Sequence, residues 1–160
     1  MANLILWRHA EAEAQSTSGA DIDRALTKRG HKDAAIMAKW LSQHLPADAE
    51  ILCSPALRCL QTVDELKSLN NFEVKVADFL SVDHSVEIIA KQVTNNDVNK
   101  TILIIGHQPN LGLLIGKLLG MHDRACVVKK GAVWWLRQRF TNDANGIPQT
   151  YLFMVQHPDF

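Results

Sequence analysis

The sequence predicts an α/β layer architecture built on a largely parallel central sheet. Two observations carry this expectation. Short apolar runs alternate along the chain with segments of helical periodicity. The run at residues 101–105, Thr-Ile-Leu-Ile-Ile, has the unbroken hydrophobicity of a parallel strand covered on both faces.

The elements follow in order. Residues 4–7 read as a buried strand. Thr27 can cap a helix whose stripe is Ala34, Ala35, Ala38, Leu41 and Leu45, ending near Pro46. Residues 50–53 form the second strand. Ser54-Pro55 is read as a cap followed by a proline at the first helical position, and Asn70-Asn71 stops the helix that follows. A short edge strand is expected at 73–76 and a helix starting at Ser85. After the 101–105 strand comes a turn, Gly106-His107-Gln108-Pro109, and then a helix over 111–119 that Gly120 ends. Residues 132–136 and 151–155 read as an antiparallel pair around a loop that holds Asn145-Gly146.

A chain of 160 residues, 47% of them hydrophobic, suits one domain over 1–160 that buries roughly two-thirds of its unfolded surface. Seventeen basic and seventeen acidic residues cancel, and the longest basic runs are the pairs Lys28-Arg29 and Lys129-Lys130. No nucleic-acid partner and no membrane are therefore expected. Residues 4–7 are too short for a signal-peptide core, and three cysteines make neither an even disulfide set nor a metal knuckle. A reducing, cytoplasmic location is the expectation.

Three predicted strands run straight into polar residues: Trp7 into Arg8-His9, Cys53 into Ser54-Pro55-Ala56-Leu57-Arg58, and Ile105 into Gly106-His107. Ligands of open parallel sheets bind beyond the carboxyl ends of the strands, so these segments should share one crevice. Two arginines and two histidines would meet there at helix starts, where free amides already favour an anion, and a phosphate is the natural guest. Arg8 and Arg58 offer charged forks for phosphate oxygens. A histidine held neutral among cations can attack phosphorus, and His9 is the candidate nucleophile. His107, on the glycine turn, can donate to the phosphoryl oxygens.

Leu6-Trp7-Arg8-His9-Ala10-Glu11, Ser54-Pro55-Ala56-Leu57-Arg58-Cys59-Leu60-Gln61-Thr62 and Gly106-His107 resemble the RHG/RHA, SPxxRxxQT and GH motifs of the histidine phosphatase superfamily. The RHAEAE opening, Arg24-Ala25-Leu26-Thr27-Lys28-Arg29-Gly30 and Gly106-His107-Gln108-Pro109 are most similar to its SixA-like phosphohistidine phosphatases. The resemblance implies an α/β/α sandwich without a lid insertion, a phosphohistidine on His9, a phosphate pocket of Arg8, Arg58 and His107, and no metal or other cofactor. The short interval between Arg58 and Gly106 leaves no room for the insertion that supplies larger members with a lid and an acidic proton donor. A phosphoramidate needs less help from such a donor than an ester does. The substrate expected is thus a phosphorylated histidine on a protein, a carrier or phosphotransfer domain.

Other readings attach to the same residues. A small phosphate monoester, such as a sugar phosphate or nucleotide, is the alternative substrate, and a non-catalytic module that binds phosphorylated proteins is a third reading. Glu11, Glu13, Asp21, Asp78 and Asp83 are all placed to donate a proton, with nothing to choose among them. His9, Glu11 and Glu13 alternate as metal ligands might, but Arg8 beside them argues against it. Cys53 and Arg58 are one residue too close for a cysteine-phosphatase loop, and Gly112 to Lys117 falls one residue short of a P-loop. Trp134 and Trp135 are read as packing on opposite faces of a strand. Gly131-Ala132 reads equally as a turn or as a stretch that closes the pocket.

Overall fold

The computed structural model of the chain describes residues 1–94, 99–121, 124–139 and 149–159. Six strands, β1 (Ala2–Arg8), β2 (Glu50–Cys53), β3 (Val74–Val76), β4 (Thr101–Gly106), β5 (Val133–Arg139) and β6 (Gln149–Gln156), form one sheet in the order β3-β2-β4-β1-β5-β6. The first four run parallel; β5 lies antiparallel to β1, and β6 to β5. The loop expected around Asn145-Gly146 lies outside the described residues, but the antiparallel pair it was to join is there.

The helices α1 (Lys28–His44) and α2 (Leu57–Asn70) cover one face, and α3 (Val86–Val93) and α4 (Asn110–Leu118) the other. Alternation along β1 and β4 decides which side chain goes where: Ile5, Trp7, Leu103 and Ile105 pack with Met37, Leu41 and Leu66, while Leu4, Leu6, Ile102 and Ile104 pack with Ile89, Leu114 and Ile115. Both layers are buried apolar side chains, so the sheet is close-packed from each side. Trp134 and Trp135 divide between the two faces as the strand period requires.

Several local signals act as read. Thr27 accepts the Gly30 N–H and Ser85 the Ile88 N–H, each capping its helix. Asn71, with φ of 53°, ends α2 in the left-handed region. Gly112 and Gly116 are packing positions: a side-chain carbon there would run into the backbone carbonyls of Cys126 and Arg124. Ser54 is a correction. It does not cap α2, whose first residue is Leu57 and whose cap position is Ala56. Its hydroxyl, 2.8 Å from His107 Nε2, is engaged elsewhere.

Candidate functional site

β1, β2 and β4 deliver His9, Ser54 and His107 from their carboxyl ends, and the register sets them side by side. Arg8 pairs with Gly106 and Cys53 with Ile105. The backbone then continues the match past the strands, with His9 N–H donating to Gly106 O and Ser54 N–H to Ile105 O. The His9 and His107 rings end up with centroids 5.3 Å apart. Arg58, on the first turn of α2, has a side chain only 4% exposed. His9 and His107 stand together, and the charges of Arg58 and Arg8 bear on both rings.

Each is held by named contacts. Arg8 donates from Nη1 to Val128 O, and the Gly131 N–H donates to His9 O, so the 128–132 segment braces the end of β1. Gly131 makes this turn with φ of 77°, a conformation glycine adopts without penalty. The Trp7 indole N–H donates to the Gly131 carbonyl from below. Gly131-Ala132 is thus a turn that braces the strand end. The Thr62 hydroxyl accepts the Ala10 N–H and donates to Arg58 O, and Gln61 accepts the Leu26 N–H. These two α2 residues fix the chain that leaves His9.

The His9 ring orientation follows from one contact. Nδ1 lies 2.8 Å from the Ala10 carbonyl, which can only accept, so Nδ1 carries the proton and Nε2 keeps its lone pair. Burial, with Arg58, Arg8 and Arg24 adding to it, pulls the His9 pKa down to about 4 against the opposing Ala10 contact. Burial, then Arg58 and His9, take His107 down to about 3. Both rings are neutral near pH 7.

That has a consequence for stability. Both folded-state pKa values lie below the ordinary 6.5, so as pH falls below about 6.5 the unfolded chain binds protons that the folded chain refuses. Stability should therefore drop as pH falls from about 6.5 toward 4. A His9→Gln variant, lacking one of these groups, should lose less melting temperature than wild type between pH 6.5 and 4.5; calorimetry in matched buffers at constant ionic strength checks it.

Arg8 Nε, Arg58 Nε and His107 Nδ1 are buried and have no protein acceptor. Buried donors are ordinarily paired, so three in one cluster mark a place made for acceptor oxygens. Asp21 belongs to this cluster too. The Arg58 Nη1 donates to its carbonyl at 2.9 Å and Nη2 to its carboxylate at 3.1 Å, while Arg24 takes the other carboxylate oxygen at 3.0 Å. Hydrogen bonding to Arg24 above all, and to Arg58, keeps the Asp21 carboxyl below its ordinary range.

The remaining sequence candidates separate. Glu11 accepts the Thr27 hydroxyl, and among the described residues His9, Glu11 and Glu13 do not gather as a metal-ligand group. The Cys53 thiol is fully buried in the core and raised in pKa by burial, a packing residue. Asp78 and Asp83 line a cavity beside Arg58 and His107. Ser54 and Asp21 are the functional neighbours that sequence reasoning did not single out. Ser54 had a signal, a hydroxyl directly after a strand, but it was spent on a cap; Asp21, one of the five acids read as possible donors, sits in a 3-10 turn distant in sequence from Arg58, with nothing local to pair the two.

A 30% identical relative decides the family: a Haemophilus influenzae protein named phosphohistidine phosphatase SixA homolog, matched over 76% of this chain and 79% of its own. The chain belongs to the histidine phosphatase superfamily. The superfamily's branch 1 profile matches residues 4–81. Escherichia coli phosphohistidine phosphatase SixA is 29% identical over 72% of this chain and 73% of its own. In structure, the fold is similar to that of Agrobacterium tumefaciens putative phosphohistidine phosphatase SixA, with a TM-score of 0.79 at 21% identity, covering 98% of this chain and 97% of that one. As a histidine phosphatase of the SixA-like kind, the chain is a phosphatase, a hydrolase. No helix among its described residues is long and apolar enough to cross a membrane.

Proposed function

We propose that the chain removes the phosphoryl group from a phosphorylated histidine on a protein, a carrier or phosphotransfer domain, by way of a phosphohistidine on His9. The observation that carries this reading is the set of three buried, unpaired N–H donors on Arg8, Arg58 and His107 around a histidine whose Nε2 is free. The Ser54 hydroxyl accepts the Ala56 N–H and lies 2.8 Å from His107 Nε2; with Ser54 donating there, the proton of neutral His107 sits on Nδ1, which has no protein acceptor and is left for a phosphoryl oxygen.

In the first step the Nε2 lone pair of His9 forms a bond to phosphorus while the bond from phosphorus to the substrate nitrogen breaks, its electron pair returning to that nitrogen. Arg8, Arg58 and His107 donate to the three phosphoryl oxygens throughout, and do so from positions fixed before the substrate arrives. In the second step a water oxygen bonds to phosphorus, the bond to Nε2 breaks, and inorganic phosphate leaves. His9 departs as neutral imidazole because Nδ1 holds its proton against Ala10 O at every stage. No cofactor enters either step, and three free cysteines suit cytoplasmic conditions.

The state of Asp21, the carboxylate bound to Arg58, favours a nitrogen leaving group over an ester. An alkoxide needs a proton at the moment of departure. Asp21 is bound to two arginines and held as an anion, a poor donor. A panel of phosphorylated histidine carriers and small phosphate esters, followed by free phosphate, tests the reading. Release from a carrier with esters hardly touched is expected; fast ester hydrolysis with carriers ignored would overturn it, and salt-dependent binding to the phosphorylated carrier without release would make the chain a binding module.

A further inference from the structure

We infer that the cavity bounded by Asp21, Asp78 and Asp83 is a leaving-group subsite that receives the substrate's phosphohistidine ring in its protonated, cationic form. This deepens the proposed function and rests on it. The cavity, of about 360 Å³, has Ser54, Arg58 and His107 at one end and the three aspartates with Ile22, Pro55 and Val82 along its walls. Arg58 and His107, which line it, are 4% and 2% exposed, and each carries a buried N–H with no protein acceptor. The end that meets the phosphoryl group is therefore a donor wall, and the walls beyond it are acidic and apolar.

Only one part of a phosphorylated histidine matches the outer walls. A histidine phosphorylated on one ring nitrogen and protonated on the other is a flat cation, apolar on its faces. Ile22 and Val82 are exposed hydrophobic side chains that can flank such a ring. The titratable and charged groups that line this cavity are Asp21, Asp78, Asp83, Arg58 and His107, the last a neutral imidazole near pH 7. Asp21 is taken up by Arg24 and Arg58, and Asp78 lies 3.5 Å from His84 Nε2, whereas Asp83 makes no ion pair among the described residues. Asp78 and Asp83 are thus the groups available to a bound cation. A second cavity, at Arg8, mixes Arg29, Lys129 and Lys130 with Glu11, Asp33 and Asp159 and has no such bias.

The chemistry gives the subsite its use. When His9 attacks, a ring already protonated on its far nitrogen leaves as neutral imidazole, so cleavage needs no proton from the enzyme. The proton comes from solvent beforehand, and nearby carboxylates keep it on the ring to higher pH. Phosphohistidine on the substrate and on His9 then have the same protonation pattern, and transfer between them is evenly balanced. Esters gain nothing here, since their departing oxygen is anionic and meets like charge.

The test compares wild type, the Asp78→Asn/Asp83→Asn double variant and Asp83→Lys on N-phosphorylated imidazole, p-nitrophenyl phosphate and a phosphorylated histidine carrier protein. These side chains are exposed, and melting temperatures confirm folding. The ratio of phosphoramidate to ester turnover should fall about threefold in the double variant and further in Asp83→Lys, and the basic limb of the phosphoramidate pH profile should move down by about half a pH unit. An unchanged ratio and profile in a wild type that does hydrolyse N-phosphorylated imidazole would overturn the subsite while leaving the proposed function standing. Loss confined to KM for a protein carrier, with the small phosphoramidate unaffected, would also overturn it and make the aspartates a docking contact. Wild type that cleaves the ester and ignores both phosphoramidate and carriers would remove the proposed function itself.

Discussion

Replacing His9 with alanine should abolish acid-labile, base-stable labelling of the protein by a radiolabelled phosphoryl donor and lower phosphate release by roughly 10⁴-fold or more, the scale on which removal of a nucleophile acts. The size follows from the geometry. Nε2 is the one site nitrogen that carries a free lone pair, because Nδ1 is committed to Ala10 O and His107 Nε2 to Ser54. His107 is not a substitute: its centroid is 5.3 Å away and it is held from behind by Ser54. The variant should still bind inorganic phosphate, since the arginine donors remain. Retained labelling in His9→Ala would place the covalent intermediate elsewhere, and loss of labelling with full phosphate release would mean direct attack by water.

How much of this was legible in the sequence depends on how local each signal is. Residues at strand ends were readable, since an apolar run that stops at Arg8-His9 or Gly106-His107 shows its own carboxyl end, and parallel pairing brings such ends together. The caps at Thr27 and Ser85 are likewise complete within four residues. Ser54 was misread because the same signal, a hydroxyl ahead of a proline, serves two purposes, and only the pairing of β2 with β4 puts it against His107. Asp21 was placed among five possible acids with nothing to rank them. Its contact with Arg58 joins a 3-10 turn to a helix that begins 36 residues later in the sequence, and hydrophobic period carries no information about such a polar bridge. The role of Gly131 was left open for the same reason: its positive φ and its bond to His9 O exist only once β5 returns beside β1.

The second large effect is expected at Arg58. Arg58→Ala should reduce turnover by roughly 100-fold to 1000-fold, the range for loss of one preorganised charged donor. It should also weaken competitive inhibition by inorganic phosphate, because the donor acts on the bound anion as well as on the transition state. Arg58→Lys should recover little. The arginine uses both Nη atoms on Asp21, at 2.9 and 3.1 Å, and still has Nε free for a phosphoryl oxygen, a division of labour that a single ammonium cannot reproduce. A lysine placed to reach phosphate would release Asp21, and one placed to hold Asp21 would fall short of phosphate. The two functions can be separated by Asp21→Asn, which keeps the backbone carbonyl contact to Nη1 and an oxygen for Nη2 while removing the charge. Its turnover should fall far less than that of Arg58→Ala. Steady-state kinetics with inhibition constants for inorganic phosphate across the three variants checks this ordering, and near wild-type turnover in Arg58→Ala would take the guanidinium out of the reaction.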